Sequence, residues 1–113
     1  MDTYQMNDVV AKIRSILKKS GQFIMAVGNE DFLNEKLAHQ PDKLIKTNTI
    51  TYDGKTYREI FHYSYIPKIG SIVDCNREEN YYLDLFAKHE FKLDTRALIN
   101  DCGFICTLLV FSK

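Results

Sequence analysis

Two short runs of almost unbroken apolar residues constrain the fold of this 113-residue chain most strongly. The first covers residues 23–27 and is bounded by glycines, and the second covers residues 104–111. Continuous rather than alternating hydrophobicity is typical of strands that are covered on both faces. The sequence therefore predicts two buried strands, and the longer run is expected at the centre of a sheet.

Helices are predicted on both sides of the first strand, which is the arrangement of a layered α/β fold. Asn7 suits the N-cap of a helix over residues 7–19, and Gly21 supplies the positive φ that would end it. A second helix is predicted over residues 31–38, with a break at 39–42 around Pro41. The apolar stripe predicted for the first helix consists of Val9, Val10, Ile13, Ile16 and Leu17.

The middle of the chain predicts a β-hairpin. Residues 48–52 and 55–63 are rich in β-branched and aromatic side chains, and Asp53-Gly54 between them favours a type I′ turn. Residues 65–73 are expected to be irregular. A helix capped by Asn76 and Glu79 should follow and end near His89. The last two strands are predicted over residues 91–98 and 104–111, with a turn at 100–103 between them.

Composition indicates one globular domain over residues 1–113 and argues against several kinds of partner. Fifteen basic and fifteen acidic residues cancel, which disfavours a nucleic-acid partner. No stretch approaches the roughly 18 apolar residues that span a bilayer, so no membrane association is expected. Three cysteines, an odd number, and a start without a secretory signal predict reduced thiols and a cytoplasmic location.

Few residues offer catalytic or metal-binding chemistry. Cys102 and Cys106 have no neighbouring Cys or His to complete a zinc site, so both are expected to be small buried residues. His39 and His89 are expected at the surface. His62 is the one histidine considered for acid–base catalysis, beside the simpler interpretation as a strand-face residue. A hydrolase that combines His62 with Cys75 is a third alternative without supporting spacing.

The acidic residues and glycines do not form a catalytic or phosphate-binding motif. Asp31 and Glu35 are best interpreted as a solvated helix face, and Glu78 and Glu79 as first-turn residues of a helix. Neither Gly-rich phosphate-binding pattern occurs in the sequence. The most unusual local feature is an aromatic cluster around the hairpin. It suits a ligand pocket or an interface, and it equally suits a hairpin packed by its own cross-strand pairs. The cluster consists of Tyr52, Tyr57, Phe61, Tyr63 and Tyr65.

Two blocks of the chain resemble the class I S-adenosylmethionine-dependent methyltransferases. The first is the predicted helix that ends in Leu17-Lys18-Lys19-Ser20-Gly21 and leads into the strand at 23–27, as the "leucine-lysine-x-x-glycine" turn of that family does. The second is the helix at 81–89 that leads into Glu90-Phe91, where the family often reads glycine-phenylalanine, and the closing strand that ends in Lys113. The family usually has proline or glycine where Lys19 and Ser20 stand.

The resemblance covers only the C-terminal half of that family's fold. It implies an α/β, three-layer, methyltransferase-like (Rossmann-like) partial sheet with an inserted β-hairpin. It implies no cofactor bound by this chain alone, because S-adenosylmethionine is held by the missing N-terminal half, through a Gly-rich turn and an acidic residue. The inserted hairpin would face the acceptor substrate, which makes Tyr57, His62, Tyr63 and Tyr65 candidate substrate-binding residues.

The family's strand order, 3-2-1-4-5-7-6, implies a further property. A chain that keeps only strands 5, 7 and 6 would leave residues 23–27 as an apolar edge, which invites pairing with another chain. We therefore expect a homodimer or a complex with a separate N-terminal half. The principal hypothesis is a methyltransferase-like fragment, inactive alone. The alternative is a stand-alone α/β interaction module with a closed sheet, which binds a protein or small ligand through its aromatic hairpin.

Overall fold

Three helices and two antiparallel three-stranded sheets make up the part of the chain that the computed structural model describes, which is residues 3–38, 44–101 and 103–113. In chain order the elements are α1 (Thr3–Ile16), β1 (Gln22–Gly28), α2 (Glu30–Ala38), β2 (Leu44–Tyr52), β3 (Lys55–Ile66), β4 (Gly70–Arg77), α3 (Glu79–Lys88), β5 (Lys92–Asp101) and β6 (Phe104–Ser112). The predicted break at 39–42 and Cys102 lie outside the described residues. None of the described helices is long and apolar enough to cross a membrane.

Sheet A has the strand order β1-β6-β5, and β6 runs antiparallel to both neighbours. The prediction that the most apolar run forms a central strand is therefore confirmed. The predicted α/β class is confirmed, whereas the methyltransferase-like sheet stays a prediction. β1 stands at one edge of the sheet, where Met25 pairs with Leu109 and no other described strand extends the ladder.

The two faces of sheet A differ in burial. On the inner face, Leu109 and Phe111 of β6 are fully buried. On the opposite face, Ile24 is 59% exposed and Ala26 is also exposed. The prediction that residues 23–27 are covered on both faces is wrong, because exposure alternates along β1 although its side chains are apolar on both sides.

Sheet B has the strand order β2-β3-β4. Asp53 and Gly54 have φ values of 52° and 78°, so the predicted type I′ turn is confirmed. The prediction of an irregular segment over 65–73 is wrong, since β3 continues to Ile66 and β4 begins at Gly70. β4 pairs with β3 over eight residues, from Gly70 opposite Ile66 to Arg77 opposite Glu59. This pairing stabilises a strand whose own sequence has little strand propensity.

Helix α3 lies between the two sheets. The Phe86 ring stacks on Phe111 of sheet A, with 4.2 Å between ring centroids. Five residues earlier, the Tyr81 ring makes edge contacts with Tyr52 and Tyr57 of sheet B, with centroids 5.8 Å and 5.6 Å apart. One core therefore joins both sheets through this helix, and its buried members are Val10, Val27, Tyr52, Tyr57, Tyr81, Leu85, Phe86, Phe91, Leu109 and Phe111.

Several predicted helix boundaries are corrected. α1 begins at Thr3, so Asn7 is not its N-cap, and Gly21 does not have positive φ. Ile16 is 81% exposed and lies outside the apolar stripe. α3 begins at Glu79 with Glu78 in the N-cap position and no capping side chain, so the Asn76–Glu79 pair is wrong. Its predicted end near His89 is confirmed, as are α2 and the last strand. The stripe that α1 packs against the core consists of Met6, Val10 and Ile13, and Leu17 packs there just after the helix ends.

The close approach of the two sheets requires glycine at position 28. A Cβ atom at Gly28 would collide with Oδ1 of Asn76 in β4 and lie 3.0 Å from Cδ1 of Leu33. We expect Gly28→Ala to lower the free energy of unfolding by about 1–3 kcal/mol, because the added carbon overpacks a closed contact. Asn76→Ala in the same chain should restore most of that loss, as measured by urea unfolding of all four members of the cycle. If the double variant instead loses the sum of the two single losses in free energy of unfolding, the two sheets do not meet here.

Candidate functional site

A polar cleft of about 130 Å³ lies at the carboxyl end of β1. Asn29, which directly follows β1, caps α2 with its side chain: its Oδ1 accepts a hydrogen bond from the Phe32 amide at 2.9 Å. Its Nδ2 donates to Thr107 Oγ1 at 3.3 Å, and Thr107 is a buried polar residue of β6. The cleft is thus fixed to the central strand and is lined by Gly28, Asn29, Glu30, Asp31, Glu79, Arg96 and Thr107.

Two arginines form ion pairs with acidic side chains around this cleft. Arg58 of β3 contacts both carboxylate oxygens of Glu30, at 2.6 Å from Nε and 3.0 Å from Nη2. Its guanidinium also lies 3.8 Å from Glu78, which connects the start of α2 to the start of α3. On the other side, Arg96 Nε donates to Glu79 Oε1 at 2.7 Å. The hydrogen bond and charge of Arg58 lower the pKa of Glu30, so this carboxylate stays ionised.

The charge of the lining determines which ligands the cleft suits. Three carboxylates and one guanidinium face it, at the N-terminal ends of two helices. Helix N-termini favour anions, and here the protein's own acidic residues already occupy that role. Glu30 and Glu79 are each paired with an arginine, so the cleft suits a ligand group with hydrogen-bond donors better than a phosphate. Within the described ranges, no three His, Cys, Asp or Glu side chains are grouped as a metal site requires.

Tyr57, the first of the four predicted substrate-binding residues, is a core residue. It is only 4% exposed, and its hydroxyl donates to Asp84 Oδ2 at 2.6 Å. Burial and the neighbouring Asp84 carboxylate raise the pKa of Tyr57 to about 12. The aromatic cluster was expected either to bind a ligand or to pack the hairpin, and packing accounts for Tyr57. It also accounts for Tyr52, whose hydroxyl donates a hydrogen bond to Asn7 Oδ1 at 2.9 Å.

The other three predicted residues lie further along β3. Tyr63 is half-buried, and Lys46 Nζ lies 5.9 Å from the centre of its ring. The backbone of His62 pairs with Ile45 and Asp74, while the side chains of His62 and Tyr65 fall outside the described part of the structure. Tyr63 is therefore placed on a different stretch of β3 from Tyr57, and the assignment of all four residues to a substrate site stays a prediction.

Sheet B contains a buried ion pair that no pattern in the sequence predicts. Glu59 and Arg77 are cross-strand partners, with Nε and Oε2 3.0 Å apart and both side chains at most 10% exposed. The Arg77 guanidinium also lies 5.0 Å from the centre of the Tyr81 ring.

Partial desolvation of the Cys75 thiol and the nearby Glu59 carboxylate raise the pKa of Cys75. A raised pKa leaves little thiolate, which disfavours Cys75 as a nucleophile.

Two further predictions are corrected here. His89 is not a free surface residue, because it is half-buried and its Nε2 lies 3.0 Å from Asn7 Oδ1. Cys106 is half-buried rather than fully buried. Of the acids in the cleft, the sequence predicts Asp31 on a solvated helix face and Glu79 in the first turn of a helix, and it predicts no role for Glu30. The usable signal was Asn29, a capping residue placed directly after an apolar strand.

The Tyr57 hydroxyl should make stability depend on alkaline pH. Its pKa is raised from near 10 to about 12 in the folded chain, so its stabilising effect is complete below pH 10 and is lost as pH rises to about 12. We expect Tyr57→Phe to cost about 1 kcal/mol at pH 7 and to flatten the fall in the free energy of unfolding above pH 10. Tyr4→Phe, at a 77% exposed position, is the matched control. Parallel pH curves for Tyr57→Phe and wild type in urea unfolding would contradict the assignment.

Removing one member of the buried ion pair should be costly. We expect Arg77→Met to lower the free energy of unfolding by about 3–5 kcal/mol, because Glu59 is left buried and unpaired, while Glu59→Leu in the same chain should recover much of it. Glu90→Gln, which breaks the exposed pair with Arg14, should cost less than about 1 kcal/mol. Denaturant unfolding compares the variants, and equal losses at the two pairs would show that the Glu59–Arg77 pair is solvated.

Comparison with models of known protein families gives no match for this chain, and comparison with curated proteins gives none either. A function for this chain must therefore be inferred from the geometry of the sheets and the cleft.

Proposed function

We propose that this chain is the substrate-side half of a methyltransferase-like enzyme and acts with a second polypeptide that holds S-adenosylmethionine. The observation that carries the proposal is the strand order β1-β6-β5, with β1 at an edge. This is the order that the resemblance implies for strands 5, 7 and 6, and it leaves β1 where the preceding strand of a complete sheet would pair.

The two edges of sheet A are protected differently, which supports a partner at β1. β5 has a bulge between Leu93 and Thr95 and carries Lys92, Asp94 and Arg96. Bulges and charges are the usual means by which proteins prevent strand addition. β1 has the sequence QFIMAVG, with no charge and no proline, and it pairs with β6 in continuous register. β1 is therefore less protected against strand addition than the first half of β5, as far as Gly28, where Asn76 of β4 lies close to it.

The polar cleft supports the substrate-side role. The cleft lies at the carboxyl end of β1, the strand beside which the partner would pair, so an acceptor held there would be close to the partner. Its three carboxylates and Arg96 suit an acceptor with hydrogen-bond donors. The acceptor group would be held by this half, while the cofactor would come from the partner. The chain itself has no Gly-rich phosphate-binding pattern in its sequence.

A second candidate function is the stand-alone interaction module. It is favoured by exposed apolar side chains at the far end of sheet B, where Ile69 is 74% and Val73 is 51% exposed. That hypothesis also predicts a closed sheet without an apolar edge. Because β1 stands at an edge in the described structure, the half-enzyme accounts for more of the geometry.

Calorimetric titration with S-adenosylmethionine tests the proposal. We expect no heat of binding for the chain alone, and binding once it is co-expressed with the N-terminal half of a class I methyltransferase that ends after its fourth strand. In that complex, the outward-pointing amides of β1 should exchange with deuterium at least about tenfold more slowly than in the free chain, because they become hydrogen-bonded. The bulged edge strand β5 is the internal control and should show no added protection.

Three outcomes would overturn the proposal. Binding of S-adenosylmethionine by the chain alone would show that the cofactor site is not missing. Failure of the complex to bind the cofactor would remove the half-enzyme role. Protection of β5 in place of β1 would place the partner at the wrong edge.

A further inference from the structure

We infer that Glu78 is a positioning residue of the cleft: its carboxylate fixes the backbone of Arg58, and Arg58 in turn holds the Glu30 carboxylate at the cleft wall. Glu78 is not one of the residues that line the cleft. Its effect on a bound acceptor rests on the proposed function, whereas its effect on Glu30 can be measured in the chain without any ligand. The two can therefore fail independently.

Glu78 lies where the pairing of β3 with β4 ends and α3 begins. The last pair joins Arg77 to Glu59, so Glu78 follows opposite Arg58. The Glu78 amide donates to the Arg58 carbonyl at 2.9 Å, as the next antiparallel pair requires. The Glu78 carbonyl, however, accepts a hydrogen bond from the Tyr81 amide at 3.0 Å, in the first turn of α3. The turn into the helix thus takes away the backbone acceptor that the Arg58 amide would have in a continuing strand.

The Glu78 side chain replaces that carbonyl. Its Oε2 accepts a hydrogen bond from the Arg58 amide at 3.0 Å. Glu78 occupies the N-cap position of α3 but makes no capping hydrogen bond with its side chain, so the strand contact and not the helix end accounts for this glutamate. The Glu78 side chain is only 18% exposed, which limits competition from water for the bond.

The fixed backbone of Arg58 directs its guanidinium toward α2. Nε and Nη2 contact the two carboxylate oxygens of Glu30, at 2.6 Å and 3.0 Å. A two-point contact of this kind depends on the orientation of the planar guanidinium. The Arg58 side chain is 54% exposed, so packing constrains it little. Its orientation therefore depends on the backbone that Glu78 holds and on the Glu78 carboxylate, 3.8 Å from the guanidinium.

This arrangement determines which charge a ligand meets in the cleft. Two of the three lining carboxylates, Glu30 among them, are paired with arginines. Asp31, the third, forms no ion pair with a lysine or arginine in the described part of the chain. Without Arg58 in place, Glu30 would add a second unpaired carboxylate, and the cleft would favour a cation. Glu78 therefore keeps the cleft suited to a neutral group with hydrogen-bond donors.

Three substitutions at Glu78 test the first step. Glu78→Gln keeps an acceptor of the same reach without the charge, and Glu78→Ala removes both. Glu78→Asp keeps the charge but draws the carboxylate back from the Arg58 amide. We expect this amide to exchange with deuterium at least about tenfold faster in the Ala and Asp variants than in the wild type, and to stay near the wild-type rate in Glu78→Gln.

Titration of Glu30, followed by carbon-13 NMR of its carboxyl group, tests the second step. The hydrogen bond and charge of Arg58 lower the pKa of Glu30, so a misdirected Arg58 should raise it. We expect Glu30 to titrate at higher pH in Glu78→Ala than in Glu78→Gln. Both variants lack the Glu78 charge, so the difference reports the orientation of Arg58. The other charged side chains that line the cleft are the same in both variants, namely Asp31, Glu79 and Arg96.

Glu35→Ala, at an exposed position of α2, is the matched control and should leave both measurements unchanged. The melting temperature establishes that each variant is folded. If Glu78→Ala unfolds, Glu78→Asp against the wild type gives the same comparison at constant charge. Equal exchange of the Arg58 amide in the Ala and Gln variants would overturn the inference. Faster exchange of that amide with an unchanged Glu30 titration would overturn it as well, since Arg58 would then hold Glu30 without Glu78.

Discussion

The stacking of Phe86 on Phe111 is the contact on which the rest of the structure depends. It packs α3 onto the central strand of sheet A, with ring centroids 4.2 Å apart, and Phe23 and Phe91 complete the cluster from β1 and the start of β5. Because α3 is held there, Tyr81 at its other end is positioned to support Tyr52 and Tyr57 of sheet B. An isolated three-stranded sheet has little hydrophobic core of its own, so the position of sheet B relies on this helix.

Two of the aromatic residues around the hairpin serve to pack the core. Tyr52 and Tyr57 are structural, and their hydroxyls are bonded to Asn7 and Asp84 rather than presented to a ligand. The buried Glu59–Arg77 pair lies on the same sheet and is stabilised by its cross-strand geometry and by the ring of Tyr81. A polar cleft lies instead at the carboxyl end of β1, where it is formed by an asparagine cap, a buried threonine and two ion pairs.

The elements that were predicted correctly are those with a distinctive local sequence. The apolar run of β6 indicated a central strand, and Asp53-Gly54 indicated the turn, because only a few dipeptides adopt positive φ at both positions. Strand β4 was missed, since its pairing with β3 and not its composition stabilises it. β1 was expected to be buried on both faces, because an edge strand with an exposed apolar face has the same sequence pattern as a fully covered one. The cleft was missed because its acids come from two helices, α2 and α3, that are far apart in the sequence.

The unpaired edge of sheet A is what we expect of a chain that works with a second polypeptide. In the described part of the chain, β6 is the middle strand of sheet A and β1 pairs with β6 alone. Residue-resolved amide hydrogen exchange of the dilute monomer tests this directly. We expect the interior amides of β6 to be protected, and protection to alternate along β1 because every second amide points away from β6. Uniform protection along β1, or rapid exchange in the middle of β6, would contradict it.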